Sequence, residues 1–117
     1  METHSNEKYK YLVLIMIKNW SEFSRLSNPK KFIRWLKNNM HMYDEFERNA
    51  LKLRIDGKRK YYSIRAILHK IRWDTLFCEN DDSGYKISNY VTPYISRLLM
   101  ISNKDLSGMF KTKFYDK

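Results

Sequence analysis

Apolar residues recur along most of this chain three and four positions apart, the spacing of helices that bury one side. Residues 9–20 are the exception, because their apolar run is nearly continuous and periodicity cannot separate a buried helix from a strand there; its unbroken length favours a helix. Asn28 followed by Pro29 reads as an N-cap with proline at the first helical position. It opens a helix that ends near Asn39 and lines Phe32, Ile33, Trp35 and Leu36 along one side. Residues 41–55 predict another helix, with Tyr43, Phe46, Ala50 and Leu53 inward and Asp44, Glu45 and Glu47 in its first turns, where acids suit the helix dipole. Gly57 is expected to close it by taking the left-handed conformation.

The second half repeats the pattern. Residues 58–62 read as a short extended piece, and Ser63 then caps a helix over 63–74 with Ile64, Ile67, Leu68 and Ile71 on one face. Asn80, Asp81, Asp82, Ser83 and Gly84 give residues 75–88 a loop composition. Ser88 or Asn89 caps a last helix to about Ile101, burying Val91, Ile95, Leu98 and Leu99, with Pro93 in its first turn. Residues 109–115 alternate imperfectly, as a short strand would. The expected fold is mainly α: a flexible stretch over residues 1–8, then a single helical domain over 9–117. Its element order is that of a winged helix-turn-helix with a short terminal β ribbon, in which the 89–101 helix enters a major groove. The loop over 75–88 is long for that motif, which usually spends three or four residues there.

Length and composition agree with this reading. A chain of 117 residues supports one core, and 43% hydrophobic with 15% aromatic residues argues against disorder. Cys78 is the one cysteine, so no internal disulfide forms and a reducing, cytoplasmic compartment is expected. The apolar run 11–17 is too short for a bilayer and lacks a cleavage pattern, so neither a membrane anchor nor a signal peptide is expected.

Charge changes the picture most. Lys and Arg number 23 against 13 Asp and Glu, a formal net charge of +10. Such a field attracts phosphate backbones, anionic membranes or acidic protein surfaces, and its sign alone does not choose among them. The excess gathers between residues 52 and 72, where Lys52, Arg54, Lys58, Arg59, Lys60, Arg65, Lys70 and Arg72 face a single acid, Asp56. Tyr61, Tyr62 and Ser63 interleave with them and offer hydroxyls to phosphate oxygens. On the last helix Asn89, Tyr90, Thr92, Ser96 and Arg97 lie off the apolar stripe, and Asn and Arg suit adenine and guanine edges. The candidate nucleic-acid-binding set is therefore Lys58, Arg59, Lys60, Tyr62, Arg65, Lys70, Asn89, Tyr90, Thr92, Ser96 and Arg97, with Lys111 on the terminal ribbon. Each has a plainer reading: the basic run as a solvated face, Tyr62 as partly core, Asn89 as a helix cap.

Catalytic chemistry finds little material. His4, His41 and His69 share no metal-ligand spacing with each other or with Cys78, and Glu79, Asp81 and Asp82 lack an EF-hand spacing. Cys78 has no assignable histidine partner, and no Gly-rich phosphate loop is present. No enzyme activity, metal or cofactor is expected.

Several short strings carry a resemblance. Met42-Tyr43-Asp44-Glu45-Phe46-Glu47, Lys60-Tyr61-Tyr62-Ser63, Ile71-Arg72-Trp73-Asp74-Thr75, Tyr85-Lys86-Ile87-Ser88-Asn89, Pro93-Tyr94 with Arg97 and Met100, and Gly108-Met109-Phe110 together resemble a family of small proteins encoded by bacteriophages and prophages. The likeness spans residues 32–113 and leaves 1–27 without a counterpart. Where family members tend to carry a run of asparagines, this chain has Ser88-Asn89-Tyr90. The resemblance implies a phage or mobile-element origin and a bacterial cytoplasm, with no established reaction. Two functions remain open: a regulatory DNA-binding protein, or an inhibitor or adaptor whose basic face meets an acidic host protein such as a nucleic-acid-processing or defence enzyme. A homodimer through residues 9–20 is compatible with either.

Overall fold

The helices follow one another closely in the computed structural model, which describes residues 2–78 and 89–110, with side-chain surroundings for 6–73 and 90–110. They are α1 (Glu2–Lys18), α2 (Trp20–Phe23), α3 (Pro29–Asn38), α4 (Met40–Ile55), α5 (Ile64–Cys78) and α6 (Thr92–Ser102). Short 3-10 turns, Asn89–Val91 and Lys104–Leu106, flank α6. Among the described residues no strand forms.

α6 is the centre of the fold because its sequence lets it be. Arg97 is its single charged residue, and a helix with so little charge around its circumference is stable only when enclosed. It packs against α1, α4 and α5, and Tyr94 stacks on Phe32 of α3 with ring centroids 4.6 Å apart. The Tyr94 hydroxyl also accepts the backbone N–H of Asn28 at 2.7 Å, tying α6 to the start of α3. Asn28 caps that start as its sequence predicts, since its side chain accepts the Lys31 N–H at 3.1 Å ahead of Pro29. Leu12, Met16, Phe23, Leu36, Phe46, Leu68 and Ile95 fill the core between these elements.

Several boundaries, and one predicted element, differ from the sequence reading. α1 begins at Glu2 and not near Tyr9. Its Lys8 pairs with Asp44 at 2.5 Å and Glu47 at 2.7 Å on α4, so those acids hold α1 down. Because α4 starts at Met40, no acid lies in its first turn. α5 runs on to Cys78, past the predicted end at Asp74. The predicted ribbon is absent as far as the described residues go: Met109 and Phe110 are buried in the core without strand pairing, and the remainder falls in residues 111–117, outside the described set. The acidic part of the predicted loop, residues 79–88, lies outside it too.

Two groups, the buried Tyr43 and the half-buried Lys8, make the packing sensitive to alkali. Burial pushes the Tyr43 phenol well above its usual 10.0, against the opposing effect of its contact with Ser102. For Lys8, burial pulls down, but the hydrogen bonds to Asp44 and Glu47 outweigh it, and its ammonium ends above the usual 10.5. Both groups hold their protons more firmly folded than unfolded. Their contribution is complete below the unfolded values and fades as pH rises through the folded ones. Urea melts between about pH 8 and 11 should therefore show stability falling above about pH 10, and less steeply in Tyr43→Phe. An unchanged slope in that variant would contradict the assignment.

Candidate nucleic-acid interface

The basic run folds as a braced turn between α4 and α5. Near the end of α4, Arg54 donates one guanidinium nitrogen to the Lys60 carbonyl at 2.7 Å and the other to the Ser107 carbonyl at 2.9 Å. The Tyr62 N–H donates to the Met109 carbonyl at 3.1 Å, so residues 60–62 are fastened to the segment after α6 at two points. Arg59 N–H returns to the Leu53 carbonyl at 2.9 Å, closing the turn on α4. Ser63 then caps α5, its hydroxyl accepting the Ala66 N–H at 3.3 Å, as predicted.

The left-handed residue of this turn is Lys58, with φ +53°, and not Gly57. Gly57 is needed for another reason: a Cβ there would stand 2.9 Å from the Leu53 carbonyl oxygen. A non-glycine residue in this region costs about 1–2 kcal/mol. Such strain survives only where its surroundings enforce it, and it gathers at working surfaces.

Lys58, Arg59, Lys60, Arg65 and Lys70 are exposed as expected, and Tyr62 is half-buried. Lys58, Arg59, Lys60 and Arg65 form no ion pair among the described residues. Tyr61 is 67% exposed, with the Lys60 ammonium 5.9 Å from its ring centre. Tyr62 separates two open clefts. One, of about 480 Å³, is lined by Tyr61, Ser63, Arg65 and Met109. The other, of about 440 Å³, lies between α4 and α5, with Lys52 and Lys70 at its walls and Asp56 among its lining residues.

The predicted reading groups on α6 do not join this surface. Thr92, Ser96 and Arg97 are buried at 3%, 2% and 3% exposure, which corrects their assignment as groove contacts. Their positions off the apolar stripe point at neighbouring helices and not at solvent, because α6 is enclosed. Ser96 hydroxyl and an Arg97 terminal nitrogen both donate to the Pro93 carbonyl, at 3.1 and 2.9 Å. Arg97 Nε lies 4.0 Å from Glu22, and burial pulls its guanidinium below the ordinary value. Tyr90 is half-buried, with the Lys31 ammonium 4.6 Å from its ring centre. Asn89 opens the 3-10 turn ahead of α6, its side chain outside the described surroundings, and Lys111 lies outside the described residues.

Two features escaped the sequence reading. Arg54 counted there only as one more base, whereas it braces the loop; its partners at 60 and 107 leave no local signal. α3 carries Lys30, Lys31, Arg34 and Lys37 exposed, with no acid in the helix, a bias readable directly from residues 29–38.

Among the described residues no three of His, Cys, Asp and Glu gather closely enough to hold a metal ion. No described helix is long and apolar enough to cross a membrane. No protein-family pattern, curated protein or solved structure matches the chain.

Proposed function

We propose that this protein binds nucleic acid, chiefly through its phosphates, with the braced turn as the principal contact. The observation that carries the reading is the set Lys58, Arg59, Lys60 and Arg65: four exposed cations without ion pairs among the described residues, three on the turn that Arg54 braces at the Lys60 carbonyl and Arg65 in the first turn of α5. A backbone fixed beforehand leaves only the side chains to be ordered on binding. Tyr61 adds an exposed ring beside them, suited to stacking on an unpaired base. The fold departs from a winged helix-turn-helix in that no strand forms a wing among the described residues and the helix that would read a groove is interior, so phosphate contact dominates over base readout. The resemblance to phage and prophage proteins implies an origin in a phage or mobile element and a bacterial cytoplasm, and carries no established reaction.

Titrating labelled random-sequence duplex DNA tests the reading. Binding is expected at low salt, and four phosphate contacts alone give a slope of log affinity against log salt of about −3.6. Absence of binding at low salt would overturn the proposal and leave the basic face to an acidic protein.

A second contact surface is favoured by α1. Tyr11, Leu14 and Ile17 are each more than half exposed, three residues apart, and Trp20 continues the row at 40%. The flanking charges, Glu7, Lys10, Lys18 and Glu22, cancel on a chain of net +10. A second copy of the chain meets this row without the repulsion its basic faces impose. An antiparallel arrangement sets Glu7 of one copy toward Lys18 of the other. Sedimentation equilibrium should find dimers that Leu14→Asp converts to monomers; a wild-type protein that stays monomeric at every concentration would contradict this.

A further inference from the structure

The outer face of α3 presents Lys30, Lys31, Arg34 and Lys37, all exposed. Lys30 and Lys37 are two helical turns apart, about 10 Å along the axis. That distance is about three nucleotide steps along one strand of a duplex. Lys30, Arg34 and Lys37 fall within one narrow sector of the helix, and Lys31 lies to its side, toward Tyr90.

This arrangement works against the helix that carries it. Lys30 and Lys31 stand in the first turn, where the dipole is positive and acids are favoured; none is present. Lys30 with Arg34, and Arg34 with both Lys31 and Lys37, place like charges three or four residues apart. None of the four forms an ion pair among the described residues. The helix is held instead by its inner face, where Phe32 and Leu36 are fully buried and Phe32 stacks on Tyr94. The same burial removes the apolar face that a membrane-surface helix would insert. What the outer face offers is a row of cations and the half-buried Tyr90 ring at its edge.

We propose that the outer face of α3 is a second phosphate-binding surface for nucleic acid. The proposal rests on the nucleic-acid reading and adds to it a separate set of contacts. The test uses the full chain carrying Lys30→Gln, Arg34→Gln and Lys37→Gln together, titrated with random duplex DNA across a salt series. Loss of three contacts should make the slope shallower by about 2.7. Thermal stability should stay level or rise, because like-charge repulsion is removed; Arg34→Gln alone should shift the slope by about 0.9. An unchanged slope in the triple variant, while substitutions in the braced turn still flatten it, would overturn the α3 proposal and leave the general function standing. A wild-type protein that fails to bind at low salt would overturn both.

Discussion

Replacing Lys58, Arg59, Lys60 and Arg65 together with glutamine is expected to weaken binding to random duplex DNA on the order of 10³-fold at roughly 0.1 M salt, with a slope shallower by about 3.6. The magnitude follows from counterion release, since each cation that meets a phosphate frees condensed ions and each one removed forfeits that gain. Stability should change little, within about 0.5 kcal/mol per site, because these side chains are exposed and their ammonium and guanidinium groups have no ion-pair partner among the described residues. The backbone brace persists in this variant, as it comes from Arg54 acting on carbonyls. Arg54→Ala is the complementary change: it should loosen the turn and weaken binding without altering any of the four cations. Measuring affinity and melting temperature on the same preparations separates loss of contact from loss of fold.

Arg97→Ala is expected to do the reverse, lowering stability by about 3 kcal/mol and leaving the salt slope untouched. Truncating a side chain that is 3% exposed opens a cavity beside α2 and removes the bond to the Pro93 carbonyl. Glu22 is half exposed, so its loss of a partner 4.0 Å away adds little. Arg97→Met keeps most of the volume and should recover much of the stability, as apolar replacements of buried ionic groups commonly do. Urea melts give the comparison. A stable Arg97→Ala protein with impaired DNA binding would restore α6 as a reading helix.

Local chemistry made much of the fold legible. The Asn28-Pro29 start of α3 and the Ser63 cap of α5 each depend on hydrogen bonds within three residues, so sequence spacing is enough to find them. The role of α6 was hidden because periodicity reveals an apolar stripe but not what surrounds the rest of the helix. Its single charge was the better signal. Lys58 was missed for a different reason: Gly57 is constrained by a close approach to Leu53, which mimics the sequence signature of a left-handed cap one residue away. The pairing of Lys8 with Asp44 and Glu47 spans more than 30 residues and has no local trace. For the candidate site, the cations of residues 58–65 were readable as composition, and their bracing by Arg54 was not.

Contact through the braced turn, and not through α6, should leave its mark on the backbone amides. The amide resonances of isotope-labelled protein, followed during a titration with duplex DNA at low salt, report which element the duplex touches. The largest shifts are expected at residues 58–65, with further shifts along α3 and little change at Ile95, Ser96 and Arg97. Shifts centred on those α6 residues, with 58–65 unmoved, would put the contact on α6 and overturn the braced turn as the binding surface.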